Sequence, residues 1–116
     1  MATTDHRKFL PLTAAKFHIL VALTAGELHG YAIMQSVESS SKGLVKIGPA
    51  TLYGTLKRLV DAGLAEEVAR PLTASEDPRR RYYRLTGLGG RVCAAEADRL
   101  ATLIKFAGAN LERGLV

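Results

Sequence analysis

Apolar residues recur along the chain at spacings that predict four helices and a hairpin. After Pro11, Leu12-Thr13 opens a segment in which Phe17, Leu20 and Val21 form one apolar stripe, while Ile19 and Leu23 add a second. Thr13 suits the N-cap and Gly26 suits the stop. A helix apolar on two sides is usually sandwiched, so something beyond the local core is expected to cover the second stripe. His29-Gly30-Tyr31 begins a second helix running to about Ser39, with Ile33, Met34 and Val37 inward, and Ser39-Ser40-Ser41-Lys42-Gly43 breaks it. Leu44 to Ile47 is short and β-prone and reads as a minimal edge strand.

Gly48-Pro49 starts a third helix, since proline's missing N–H would be unpaired at the first helical position anyway. Leu52, Leu56, Leu59 and Val60 share one face, and Gly63 supplies the stop. The opposite face carries Ala50, Gly54, Lys57 and Asp61, flanked by Thr51 and Arg58. Leu64 to Val68 and Arg81 to Leu85 read as paired strands around an exposed loop, Arg70 to Arg80. Thr86 caps a last helix that opens on glycines and runs to about Arg113. Its residues Cys93, Ala97, Leu100, Ile104, Ala107 and Leu111 step by four and three, as along a coiled-coil seam. The expected fold class is mainly α with a small β-wing: a winged helix-turn-helix plus a long C-terminal dimerisation helix. Residues 1–86 form the expected DNA-binding domain and 87–116 the dimerisation helix.

Composition narrows the function. One hundred and sixteen residues suit a single domain, and 47% apolar content supports a core without disulfide or metal staples. The lone Cys93 cannot form an intrachain bridge and suggests a reducing compartment. The N-terminus lacks the apolar stretch of a signal peptide, and the best apolar run, Ile19 to Leu23, is too short to span a bilayer. A cytoplasmic location and no membrane partner are expected. A net charge of +5 favours a polyanionic partner, and Arg79-Arg80-Arg81-Tyr82-Tyr83-Arg84 is the densest cationic stretch.

Three groups of residues then stand out. Thr51 and Lys57 on the outward face of the third helix offer the hydrogen-bonding side chains a groove-reading helix needs, with the alternative of an ordinary solvated face. Gly54 weakens the helix and fits either a close approach of nucleic acid or chain packing, and Tyr53 fits either a phosphate contact or simple packing. Arg79 and Arg80 near the loop tip are the phosphate or minor-groove candidates. Arg81 shares a face with Arg79, and Arg81 and Arg84 have the alternative of pairing with carboxylates. His29 and Gly30-Tyr31 sit at a helix start that favours a phosphate, with plain capping by His29 the alternative. Phe17, Leu20 and Val21, together with the seam, form the expected dimer interface.

No metal-ligand spacing, nucleophile elbow or phosphate-binding glycine loop is present, so no enzyme, metal or cofactor is expected.

Several motifs resemble the PadR family of transcriptional regulators: Ile19-Leu20-Val21-Ala22-Leu23, Leu28-His29-Gly30-Tyr31, Gly48-Pro49-Ala50-Thr51-Leu52-Tyr53-Gly54-Thr55-Leu56-Lys57-Arg58-Leu59, Gly63-Leu64, and Arg80-Arg81-Tyr82-Tyr83-Arg84-Leu85-Thr86-Gly87-Leu88-Gly89. In order, they cover roughly residues 12 to 90. The resemblance, closest to the short subfamily, implies a homodimeric repressor on an inverted-repeat operator in double-stranded DNA. Its third helix would enter the major groove, and its wing would touch the backbone or minor groove. It also implies a small aromatic or amphipathic effector near the dimer centre. Some short members hold flat drugs between tryptophans, and this chain has no tryptophan. Two other functions compete: a winged-helix protein-interaction module without DNA binding, and a small-molecule sensor acting through an interface pocket.

Overall fold

The helices form where local caps and apolar spacing place them. In a computed structural model describing residues 6–69 and 80–114, a short 3-10 turn, His6–Phe9, precedes α1, Ala14–Leu23. Thr13 caps α1 by accepting a hydrogen bond from the Lys16 amide at 3.2 Å, which satisfies one of the donors a helix start leaves open. Then follow β1 (Leu28–His29), α2 (Gly30–Ser40), α3 (Pro49–Asp61), β2 (Ala65–Val68), β3 (Tyr82–Leu85) and α4 (Gly87–Gly114). Helix α1 is sandwiched as its two stripes require, packing against α2, α3 and α4. That packing takes Leu20 fully into the chain's own core. Leu20 therefore has no surface left for a partner, which corrects its assignment to the dimer interface. Phe17 is half-buried against the same core, and Val21 keeps 37% of its surface.

The sheet differs from the expected two-stranded wing. It has three antiparallel strands in the order β1-β3-β2, with Leu28 opposite Tyr83 and Glu67 opposite Tyr83 on the other side. Leu28–His29 takes the free edge of β3. Leu44 to Ile47, expected to be an edge strand, is not one. Its backbone is satisfied locally instead: the Ser41 hydroxyl accepts from the Val45 amide at 2.9 Å and donates to the Val45 carbonyl at 3.3 Å. Ile47 plugs the core while Leu44 stands in solvent.

One face of α3 is buried through Leu52, Thr55, Leu56 and Leu59. Thr55 takes the place expected of Val60, which is exposed, so the buried stripe leans one position around the helix. Gly63, at φ +80°, ends the helix in the left-handed conformation that glycine adopts without a Cβ penalty.

Helix α4 begins at a tight joint. The Thr86 hydroxyl donates to the Gly63 carbonyl at 2.6 Å and accepts from the Gly89 amide at 2.9 Å, while the Thr86 amide donates to the Leu64 carbonyl at 3.2 Å. Gly89 sits so close to Leu64 that a Cβ there would lie 1.8 Å from its carbonyl oxygen. Further along, Val92 and Cys93 enter the core. Cys93 thus packs inside its own chain, which corrects its assignment to an intersubunit seam, and burial raises its thiol pKa. Glu96, only 1% exposed, is satisfied by the Leu12 amide at 2.7 Å and by the Arg99 guanidinium. Donation from Arg99, helped by Leu12, holds its carboxyl below the usual range against the opposing effect of burial. From residue 101 to 114 the helix is exposed throughout.

Gly89→Ala is expected to cost about 3 kcal/mol, the upper end of the usual overpacking range, because backbone rather than a flexible side chain must give way. Gly90, with nothing within 4 Å of an added Cβ, provides the contrast. Gly90→Ala should be neutral or stabilising by up to about 1 kcal/mol. Urea unfolding of both variants checks the pair, and equal effects would refute the joint.

Candidate nucleic-acid interface

Three elements meet on one side of the molecule: the outward face of α3, the start of α2 and the base of the wing. Because the inward face of α3 is committed to the core, helical periodicity puts Ala50, Thr51, Tyr53, Gly54, Lys57 and Arg58 outside, and all six are exposed. Gly54 has open space around it, so packing within this chain does not demand a glycine there. Gly30 behaves differently. A Cβ on it would meet the Tyr53 hydroxyl at 2.3 Å, so the Tyr53 ring lies across the first residue of α2. That contact binds the two helices and leaves Tyr53 half-exposed.

His29 is the N-cap of α2, its Nδ1 accepting from the Ala32 amide at 3.3 Å. Its ring stands edge-on to Tyr82, with centroids 5.4 Å apart. Burial, and then the charge of Arg80, lowers its pKa. Both favour the neutral ring that an accepting cap requires. Capping is therefore the role the geometry supports for His29. Tyr31, in the first turn of α2, is 61% exposed.

Strand alternation divides the wing. Arg81, Tyr83 and Glu67 face α3, whereas Tyr82, Arg84 and Glu66 face away. Of the two tyrosines, Tyr83 is the core residue. Arg84 is structural: it reaches Glu66 at 2.6 Å on β2 and Glu27 at 3.5 Å beside β1, tying the three strands together. Arg81 lies 3.9 Å from Glu67, and Lys57 lies 3.2 Å from Asp61. These two pairs line a cleft of about 330 Å³ between α3 and the wing, floored by Tyr83. Arg58 and Arg80 are exposed without an ion pair among the described residues. Arg79 lies outside the described residues.

The expected interface residues on α4 separate along its length. Leu100 is half-buried, while Ala97, Ile104, Ala107 and Leu111 are exposed, Ile104 by 69%. A second concavity of about 510 Å³ runs between the 3-10 turn and α4, with Leu10, Pro11 and Ala95 as apolar wall and Arg7, Asp98 and Arg99 at its rim. Sequence reasoning missed Glu96, Arg99 and Glu67. The i,i+3 spacing of Glu96 and Arg99 was the available signal for the first two. Among the described residues no group of His, Cys, Asp and Glu is arranged to hold a metal ion, and no helix is long and apolar enough to cross a membrane.

His29→Ala should lower stability by about 1 kcal/mol through loss of the cap, and His29→Asn should restore most of it. Because folding lowers the His29 pKa below 6.5, its contribution is fully present above that pH and is lost as pH falls through the folded value. Thermal melts at pH 7.5 and 5 should thus show a smaller acid-induced loss in His29→Asn than in the wild type. Equal losses would count against the cap.

Comparison with known proteins agrees with this architecture. A transcriptional regulator from Clostridium thermocellum superposes with a TM-score of 0.68 at 24% identity, covering 94% of this chain and 97% of that one. The PcaV transcriptional regulator from Streptomyces coelicolor gives 0.71 at 26% identity, covering 90% and 71%. A PadR family transcription regulator from Clostridium difficile gives 0.67 at 19%, covering 90% and 100%. In sequence, an uncharacterized 37.1 kDa protein of transposon TN4556 from Streptomyces fradiae is 39% identical over 89 residues, 77% of this chain. The match spans only 24% of that larger protein. The family model for PadR-like transcriptional regulators, which are not enzymes, matches residues 19–95. With well over half its length matched and its winged-helix core superposed on theirs, the chain belongs to the PadR-like family of transcriptional regulators.

Proposed function

We propose that the chain is a homodimeric DNA-binding regulator, a repressor acting on an inverted-repeat operator, with α3 as the reading helix. The observation that carries this reading is the two-sidedness of α3. Its inner face is buried to the last residue, while its outer face offers Thr51, Lys57 and Arg58 on small neighbours, Ala50 and Gly54, beside a basic wing. Small residues let a helix approach base edges, and hydrogen-bonding side chains read them. Arg80 and Arg81 at the wing base, and Arg79 next to them in sequence, serve phosphate, whose charge is the same in every sequence. The winged-helix unit over residues 1–86 carries the nucleic-acid face, and 87–116 carries assembly. The solved neighbours, themselves transcriptional regulators, support the class.

Assembly falls to the exposed end of α4. Leu103, Ile104, Phe106 and Leu111 leave a large apolar face in solvent, and single soluble chains rarely keep such a patch uncovered. Two copies related by a two-fold axis bury it in one another. The concavity between the 3-10 turn and α4 is the place for an aromatic or amphipathic effector, because ligand sites favour mostly apolar clefts of roughly 300–1,000 Å³ with a few polar groups. That concavity also favours a second reading, in which the protein is a sensor whose ligand leaves DNA affinity unchanged.

Titration against duplexes selected from random DNA, and against scrambled ones, at several salt concentrations tests the regulator. Arg80→Ala should weaken both and flatten the salt slope by about 1. Thr51→Ala/Lys57→Ala should reduce preference for the selected sequence by on the order of 1–3 kcal/mol for each good base pairing that the substitutions remove. A folded double variant with unchanged preference refutes α3 as the reader. Light scattering tests assembly: the wild type should be a dimer, and Leu100→Asp/Ile104→Asp a folded monomer. A dimer that survives both charges places the interface elsewhere.

A further inference from the structure

We propose that Asp61 and Glu67 are specificity-determining residues, holding Lys57 and Arg81 in internal ion pairs that bound DNA must break. This rests on the nucleic-acid reading above. The cations of the proposed interface fall into two classes. Arg58 and Arg80 have no carboxylate partner among the described residues. Lys57 and Arg81 each have one, at 3.2 and 3.9 Å, on opposite walls of one cleft.

Neither pair braces separate elements of the fold, although Arg81 also bonds the hydroxyl of the buried Tyr83. The side chains are half or more exposed, and exposed pairs contribute about 0–1 kcal/mol to folding. Arg84 marks the contrast, since its carboxylates come from beside β1 and from β2 and so cross-brace the sheet. Glu67 joins only neighbouring strands already laddered by their backbones, and Asp61 lies one turn from Lys57 on the same helix. The ladder opposite Tyr83 puts Glu67 on the side of the wing that faces α3. There the carboxylates reduce the cleft from two positive charges to none.

The consequence is a selective penalty. Non-specific binding draws on every cation that reaches a phosphate. Among the described residues no carboxylate holds Arg58 or Arg80 back from a duplex, whereas Lys57 and Arg81 must first leave a carboxylate that then faces the phosphates. At the cognate site, base contacts made by the same helix offset that exchange. At other sites nothing does. The carboxylates therefore lower affinity for wrong sequences more than for the right one, which is discrimination by repulsion.

The test measures binding of the full chain to a selected duplex and to a scrambled one over a salt series. Glu67→Gln and Asp61→Asn should each tighten scrambled binding by roughly threefold or more and steepen its salt slope by up to about 1. Binding to the selected duplex should change less, so the ratio of affinities falls. Glu112→Gln, the same charge change at the far end of α4, should leave the ratio unchanged. In an Arg81→Ala background the gain from Glu67→Gln should shrink to the relief of carboxylate–phosphate repulsion alone, whereas a general effect of net charge would leave it undiminished. The proposal is overturned if neither variant tightens scrambled binding, if Glu112→Gln matches them, or if the gain is undiminished without Arg81. A wild type that binds no duplex at any salt overturns the nucleic-acid reading, and this inference with it. Binding that responds to Arg80→Ala but not to Glu67→Gln or Asp61→Asn overturns the inference alone.

Discussion

The contact of Gly89 with the Leu64 carbonyl, clasped by Thr86, governs how the rest of the molecule is arranged. Four elements terminate within a few residues of it: α3 ends before Gly63, β2 begins at Ala65, β3 ends at Leu85 and α4 begins at Gly87. Two hydrogen bonds from Thr86 reach the turn between α3 and β2, and a third reaches into the start of α4. With no Cβ at Gly89, the helix approaches the carbonyl more closely than any other residue allows. The direction in which α4 leaves the core is thereby tied to the end of α3. Beyond Glu96 the helix continues for about 27 Å at 1.5 Å per residue. A small rotation at the joint would become a displacement of several ångströms at the far end. Any dimer formed there sets the spacing of the two α3 helices through this one joint.

Charge is used in three different ways, separated by burial. Glu96 is held by three hydrogen bonds in a site that water does not reach, and it fastens Leu12, just ahead of α1, to α4. A buried carboxylate persists only when satisfied in this manner. Arg84 works at the surface but bridges strands, so its geometry matters more than its Coulomb energy. Lys57 and Arg81 are paired where solvent screens them, which makes those pairs easier to exchange for another anion than the buried Glu96 pair.

What the sequence made legible is what local chemistry decides. Thr13, His29, Gly63 and Thr86 punctuate helices by bonds within a few residues of themselves, and each is found doing so. The outward face of α3 follows from its inward one. The two-residue β1 was not legible, because a strand of that length has no periodicity and exists only by pairing with Tyr82 and Tyr83, more than fifty residues away. Leu44 to Ile47 has better strand propensity and forms none, since Ser41 satisfies its backbone first. Propensity describes what a segment tolerates, whereas the ladder decides what it does. Thr55 displaces Val60 for a similar reason, as the covering elements set where the buried stripe falls.

The α4 seam shows the same limit in a form that bears on assembly. Heptad spacing from Cys93 to Leu111 identifies a continuous apolar stripe but not its partner. The stripe changes partner along its length. Its first turns, at Val92 and Cys93, are covered by the chain's own core, and from Ile104 onward none of the described residues covers it. Burying apolar surface contributes roughly 25 cal/mol per Å² whichever chain supplies the cover, so one stripe can serve folding at one end and association at the other. Folding fixes the near end through Gly89 and Glu96, so the far end is presented in a single orientation before any partner arrives. In the proposed dimer, a stripe already held on a helix would pair at a smaller ordering cost than a free segment.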